Sequence, residues 1–365
     1  MKKFLPILFT SMLFVCISFD IAMCKEYDFQ RFFSKKVRLE PGTVVVLDNP
    51  VGEIHLTNID PQLGPYMMVK QRVFAAADEL AKCRYMVMTV RMDISRRPDT
   101  LALDAIFPTH MYEKFCFPDM SGFFGSEVSK IWKGSQFIVS PRKGVKLWSD
   151  VYLEVPKGTK VLIRSVAMGL VIEDFVGDLE LYTDHASAMT AGSIDGNLWL
   201  TACHGALSVG GFKGDLFYYG EDSDLSFCDV INGKISAESV SGDLIWTATT
   251  DSLEILELKS ISGNIILDGE VGENTVLLND EGDIEIILEL PIGDSLYCTN
   301  PNGDIYLKAP ENFAKTIKAR ASEGRIKHNL TGDDKSISTQ LKGSQGAVVL
   351  DSERGDIKIK LISID

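Results

Sequence analysis

The chain has 365 residues, with 51 Asp and Glu against 37 Lys and Arg, for a formal net charge of −14. Such a balance argues against nucleic acid or acidic lipid surfaces as partners, and it allows weak surface binding of cations. Four Trp in the whole chain suggest no aromatic sugar-binding platform.

Residues 1–24 read as a secretory signal peptide. Lys2 and Lys3 precede an apolar core at 4–19, and Ala22-Met23-Cys24 offers the small residues a signal peptidase reads. Cleavage after Cys24 is the expectation. Lipidation of Cys24 is a second possibility, and an uncleaved anchor is a third. The apolar core is short against the roughly 20 residues of a bilayer span, and nothing later in the chain is long and apolar enough to be one.

Of the seven Cys, five follow the leader: Cys83, Cys116, Cys203, Cys228 and Cys298. Export permits disulfides, but five do not make a dense framework. Cys83 and Cys116 share one non-repetitive segment and are the candidate pair.

Residues 37–59 read as β-structure, with alternation at 44–47 and at Gly52-Glu53-Ile54-His55-Leu56. Residues 60–150 form a non-repetitive insertion or cap. Within it a strand is expected at 67–73, one short helix over the Ala-rich 75–82, and a strand pair at 84–94 and 100–107 around Arg96-Arg97-Pro98-Asp99. Residues 108–144 are expected to be irregular and partner-facing, or a lid over one end of the core.

From 151 to 361 a phrase of Gly, then Asp or Asn, then aliphatic alternation returns, as in Gly196-Asn197-Leu198, Gly263-Asn264-Ile265 and Gly303-Asp304-Ile305. Its turns fall into two interleaved columns with a period of about twenty residues. One column runs 186, 205, 223, 242, 263, 282, 303, 324, 346, and the other runs 177, 196, 214, 233, 252, 272, 293. Two short strands and two turns cannot bury an apolar face alone, but stacked copies can. The expected fold is all-β: a β-solenoid of about twenty-residue coils with two short strands each and a small irregular insertion carrying one short helix. A meandering β-sandwich is the alternative, although it has no reason to keep two turn columns in period. Residues 25–361 would then be one domain, with its first coil at 37–59.

The residue before each turn of the first column is polar, starting His185, His204, Asp222, Ser241. Such a ladder is ordinarily solvated turn chemistry. Its His185–His204–Asp222 end is a weak metal candidate, since two imidazoles and a carboxylate in adjacent coils match zinc or copper chemistry.

These features resemble the putative-adhesin β-strand-repeat family of exported bacterial proteins, a domain family of unknown function. The resemblance rests on the early Gly52-Glu53-Ile54 coil, the strand–short helix–strand segment, the 151–158 phrase Val-Tyr-Leu-Glu-Val-Pro-Lys-Gly, and steps such as Ser241-Gly242-Asp243-Leu244. It implies a right-handed β-solenoid in the cell envelope or outside the cell, with no catalytic residues to carry over.

The functional expectation is a non-catalytic structural or interaction module, adhesin-like, without a cofactor, and with a protein or envelope surface as partner. Membrane attachment would require a lipidated Cys24. The alternative is a polysaccharide-active or cation-binding β-helix. Acidic residues such as Asp178, Asp222, Asp224, Glu281 and Asp283 are plentiful, but twenty-residue coils leave no room for groove-forming loops. The sequence contains no G-x-S-x-G, H-E-x-x-H or P-loop.

Overall fold

The computed structural model describes residues 26–118, 127–330, 335–341 and 346–363. The leader and Cys24 lie outside them. In chain order, the first part comprises β1 (Tyr27–Arg38), β2 (Val44–Asp48), β3 (Val51–Asn58), β4 (Tyr66–Ala77), α1 (Leu80–Thr89), β5 (Arg91–Arg97), β6 (Thr100–Ile106), β7 (Lys114–Cys116), β8 (Val128–Trp132), β9 (Ser135–Ser140) and β10 (Val145–Val155).

β2 and β3 lie parallel to the two halves of the next strand, Val161–Ile172, with Val45 beside Val161 and Ile54 beside Leu170. They form the first complete coil. Beyond it the pairing changes sense. β6 runs parallel to β2, but β5 closes that side antiparallel. β10 runs parallel to β3, and β4 and β1 then follow antiparallel. α1 packs on β1 and β4.

This end has its own core, in which Val73, Ala75, Met86, Val87, Phe115 and Phe137 are all buried. Two buried carboxylates fasten it to the first coil. Asp48 takes two bonds from Arg164, at 2.6 and 2.9 Å, and a third contact at 2.8 Å from Lys133 of the β8–β9 turn. Burial would raise the Asp48 pKa, but Arg164 and Lys133 outweigh it and hold the group below the usual carboxylate range. Asp150 of β10 accepts from the Glu53 N–H of β3 at 3.0 Å and takes bonds from Arg72 at 2.7 and 3.0 Å, and there burial prevails and pushes the carboxyl up.

Three local expectations need correction. The Ala run at 75–77 is the end of β4, and the helix follows it at Leu80–Thr89, where a strand was expected. Ala75 is small because Met86 and Val87 of α1 share its core. The helix carries no side-chain N-cap bond at Glu79, so the usual start signal is missing. The segment 108–144 is not irregular throughout, since it holds β7, β8 and β9. The β8–β9 hairpin turns on Lys133 and Gly134, both with positive φ, as a two-residue hairpin turn requires. β1 was not anticipated at all.

The solenoid continues through Val161–Ile172, Leu179–Ala191, Leu198–Val209 and Phe212–Phe227, each bending through two faces as one strand. From Ile231–Ser239 onward the two limbs separate. One inward column runs Val161, Leu179, Leu198, Leu216, Ile235, Leu256, and the other runs Leu207, Leu225, Leu244, Ile265, Ile284, Ile305. All are buried in one continuous core. The fold is the all-β solenoid read from the repeat.

The last coils do not stack in chain order. Ser295–Thr299 and Ile305–Pro310 pair with Ala347–Ser352 and Ile357–Ile362, not with the coil that follows them in sequence. That following coil, Thr316–Ala321 and Ile326–His328, lies outside the 347–362 coil. Ser336–Gln340 pairs antiparallel with Thr316–Ala321. The first turn column therefore runs Gly303, Gly355, Gly324 in space, and Gly346 is not a member.

Candidate functional site

The turn phrase has a specific structural use. Each Asp or Asn side chain accepts a bond from the backbone N–H at the same position one coil on. Asp224 accepts from Asp243, Asp243 from Asn264, Asn264 from Asp283, and Asp283 from Asp304, at 2.7 to 3.0 Å. Asp304 accepts from Asp356 at 2.8 Å, and Asp356 from Arg325 at 2.9 Å. The preceding Gly brings the backbones into close contact. A Cβ on Gly282 would stand 2.2 Å from the Gly263 carbonyl.

A second polar ladder lies inside the corner, three residues before each Gly: Ser239, Ser260, Asn279, Asn300 and Ser352, all buried. Asn300 accepts from the Gly303 N–H at 3.0 Å and donates to the Gly282 carbonyl at 2.7 Å. Sequence reading missed it, although the spacing Ser/Asn-x-x-Gly is visible. Buried corner carbonyls and amides need partners, and Ser239, Asn279, Asn300 and Ser352 supply them.

The register brings His185, His204 and Asp222 into successive coils. His185 is buried, and desolvation, with the neighbouring His204, pushes its pKa down to about 4. His204 Nδ1 is 3.6 Å from Asp222 Oδ2, at a half-exposed edge. Beside them lie Asp184, paired to Lys130 of β8 at 2.8 Å, and Cys203, whose thiol burial pushes up to about 11. Among the described residues no group of three or more His, Cys, Asp or Glu is placed to hold a metal ion. The ladder continues outward as turn chemistry: Ser241 Oγ donates to the Glu221 carbonyl at 3.0 Å and lies 3.2 Å from Asp222.

Cys83 and Cys116 are both buried free thiols. The first donates to the Tyr27 carbonyl at 3.1 Å, and the second to the Pro141 carbonyl at 3.6 Å.

A groove of about 500 Å³ crosses the outer face of the first limb. At its centre the Trp199 indole stacks on Phe217, with centroids 4.2 Å apart and planes 28° from parallel. Trp199 is 46% exposed. Glu180, Trp199, Phe217, Ser236 and Glu257 occupy one outward row in successive coils. Asp178, Asn197, Asp215 and Lys234 form the edge of the groove beside them. Lys160 pairs with Glu180, and Ser236 Oγ donates to Glu257 at 3.3 Å. The sequence reading did not anticipate this exposed aromatic pair. The total Trp count carried no information about position. The usable signal was an aromatic three residues after Gly196 and again after Gly214, where the row otherwise carries Glu180 and Ser236.

The family model described as Toastrack DUF4097 matches residues 151–360. No curated protein matches the chain. Among solved structures, the chain is similar to a putative adhesin from Parabacteroides distasonis ATCC 8503, with 12% identity, a TM-score of 0.42, and coverage of 90% of this chain and 97% of that one. It is also similar to a putative adhesin from Parabacteroides merdae ATCC 43184, at 12% identity and a TM-score of 0.34, covering 90% and 96%. A putative cell adhesion protein from Clostridium sporogenes ATCC 15579 shows 10% identity and a TM-score of 0.20, covering 91% and 100%.

Proposed function

Because this chain belongs to the Toastrack DUF4097 family, we propose that it is a non-catalytic, adhesin-like interaction module of the cell envelope and that it meets its partner through the Trp199 groove. The observation that carries the reading is the exposed indole stacked on Phe217 in an outward row that otherwise carries Glu180, Ser236 and Glu257. A large exposed aromatic rimmed by polar groups is the usual mark of a contact surface. The turn carboxylates that a hydrolase would need are engaged in holding the next coil's N–H groups, which supports a structural use for them.

In this reading residues 25–361 act as one unit, and residues 1–24 direct export and are removed after Cys24. Intact mass of the protein from its native host tests that step, and a lipid adduct on Cys24 would replace it with membrane anchoring.

The contact is tested by binding of fluorescently labelled protein to envelope fragments. Trp199→Ala should weaken it by about tenfold or more, the loss expected of an aromatic anchor. Unchanged binding by that variant would reject the groove as the contact surface.

A further inference from the structure

We infer that the N-terminal end of the solenoid rests on a bilayer surface that carries anionic headgroups. This contact is separate from the Trp199 groove.

Among the described residues β1 and β5 each pair on one side alone, so they are the outermost strands of the two limbs at this end. Phe33 and Val37 of β1 and Met92 and Ile94 of β5 pack against the end of the long core. Guanidinium groups tie the two strands together. Arg31 donates to the Val90 carbonyl, and Arg96 donates to the Arg38 carbonyl.

Charge is segregated along the molecule. β1 and β5 carry seven Lys and Arg against Asp28 and Asp93, and the adjoining turns add Glu40 and Asp99. Arg38 pairs with Glu40, and Arg91 pairs with Asp93. Among the described residues no carboxylate pairs with Lys35, Lys36, Arg96 or Arg97, and all four are exposed. Residues 169–307 hold 26 Asp and Glu and three Lys. The net charge of −14 averages over this separation. Glu180 lies four strands from β5, about 19 Å at about 4.8 Å per strand, and a Debye length of about 8 Å screens it from a ligand at this end.

Two observations select a bilayer among polyanions. Apolar side chains stand out at the same end: Phe32 of β1 is 72% exposed, and Tyr85 and Met88 of α1 are 57% and 65% exposed. A soluble polyanion leaves such groups in water, whereas a headgroup layer takes up apolar side chains and cations together. The chain before Glu26 also enters here. Glu26 pairs with Lys146 at 2.6 Å, and the Tyr27 carbonyl accepts from Cys83 of α1. An export leader at 1–24 would therefore meet the membrane from this end. Guarding a sheet edge would account for Lys35 and Lys36, but not for the exposed Phe32 beside them.

The test sediments the processed chain, residues 25–365, with vesicles of phosphatidylcholine alone or of an equimolar mixture with phosphatidylglycerol. We expect binding about tenfold or more stronger to the mixed vesicles, and weakened by added salt. Lys35→Glu with Lys36→Glu should weaken it about tenfold or more, and Phe32→Ser with Met88→Ser about threefold or more. Lys318→Glu with Arg320→Glu changes the net charge equally at the opposite end and should leave binding within about twofold. Thermal unfolding checks that each variant is folded. Absence of binding to the mixed vesicles would overturn the assignment and leave the cations as guards of the edge. Equal losses in the two charge-reversed variants would overturn it as well, since overall charge would then be the cause. If polyphosphate binds with the same Lys35 and Lys36 dependence while Phe32→Ser with Met88→Ser leaves vesicle binding unchanged, the partner is a soluble anionic polymer and the bilayer is rejected.

Discussion

One side chain, Asn300, shows how polar atoms hold this apolar stack together. It bridges the Gly303 N–H of its own turn and the Gly282 carbonyl of the coil below, and it lies 3.2 Å from the Asp304 carbonyl. Asn300→Leu fills similar space but strands those groups, and should cost about 1–3 kcal/mol, read as a lower urea midpoint with unchanged slope. His185 makes a different prediction. Its folded pKa of about 4 lies below the ordinary 6.5, so as pH falls the unfolded chain takes up the proton first. Stability is then complete above about pH 6.5 and falls progressively down to about pH 4, by roughly 3 kcal/mol at about 1.4 kcal/mol per unit. His185→Gln should flatten that part of the stability–pH curve, measured by denaturant unfolding at each pH. The His185–His204–Asp222 alignment was legible because the turn period fixes which residues neighbour each other. That His185 is buried while Asp222 is exposed was not legible, because spacing alone does not reveal the bend of the corner.

At the scale of elements, the intercalated coil is the largest departure from a simple reading. Gly303-Asp304-Ile305 and Gly355-Asp356-Ile357 are near-identical phrases, so either could follow the other in space. One sign was nevertheless present. Gly324 is followed by Arg325, which has no carboxylate or amide to serve a further coil. A step lacking that acceptor belongs at the end of the stack. The short strands β7 to β9 were hidden for another reason, because their pairing is set by tertiary contact with β10 and the hairpin turn rather than by a long alternation. Removal of residues 346–365 should expose the 305–310 edge and leave the 316–328 coil without its neighbour. We expect limited proteolysis to clear 311–345 while a fragment ending near 310 persists, as nearest-neighbour stacking requires. Protection of 316–328 in that truncated chain would contradict the observed stacking order.

At the scale of the whole molecule, a long apolar core and a smaller aromatic one lie side by side, with Met92 packed against both. The smaller core depends on Phe115 and Phe137, stacked at 4.5 Å, with Phe107 edge-on to both. Phe115→Ala should cost about 3–5 kcal/mol. Hydrogen exchange should then show β4, α1 and β7–β9 opening before the coils beyond 179. Uniform weakening along the chain would mean that the two cores are one cooperative unit. The order of stacking also bears on the order of events in time. Every chain leaves the ribosome N-terminus first, so residues 346–363 emerge after the coil that lies outside them. The outer coil cannot find its place until residues 346–363 have been made. Their arrival is an insertion between two segments already present, which ties closure of this end of the stack to those strands.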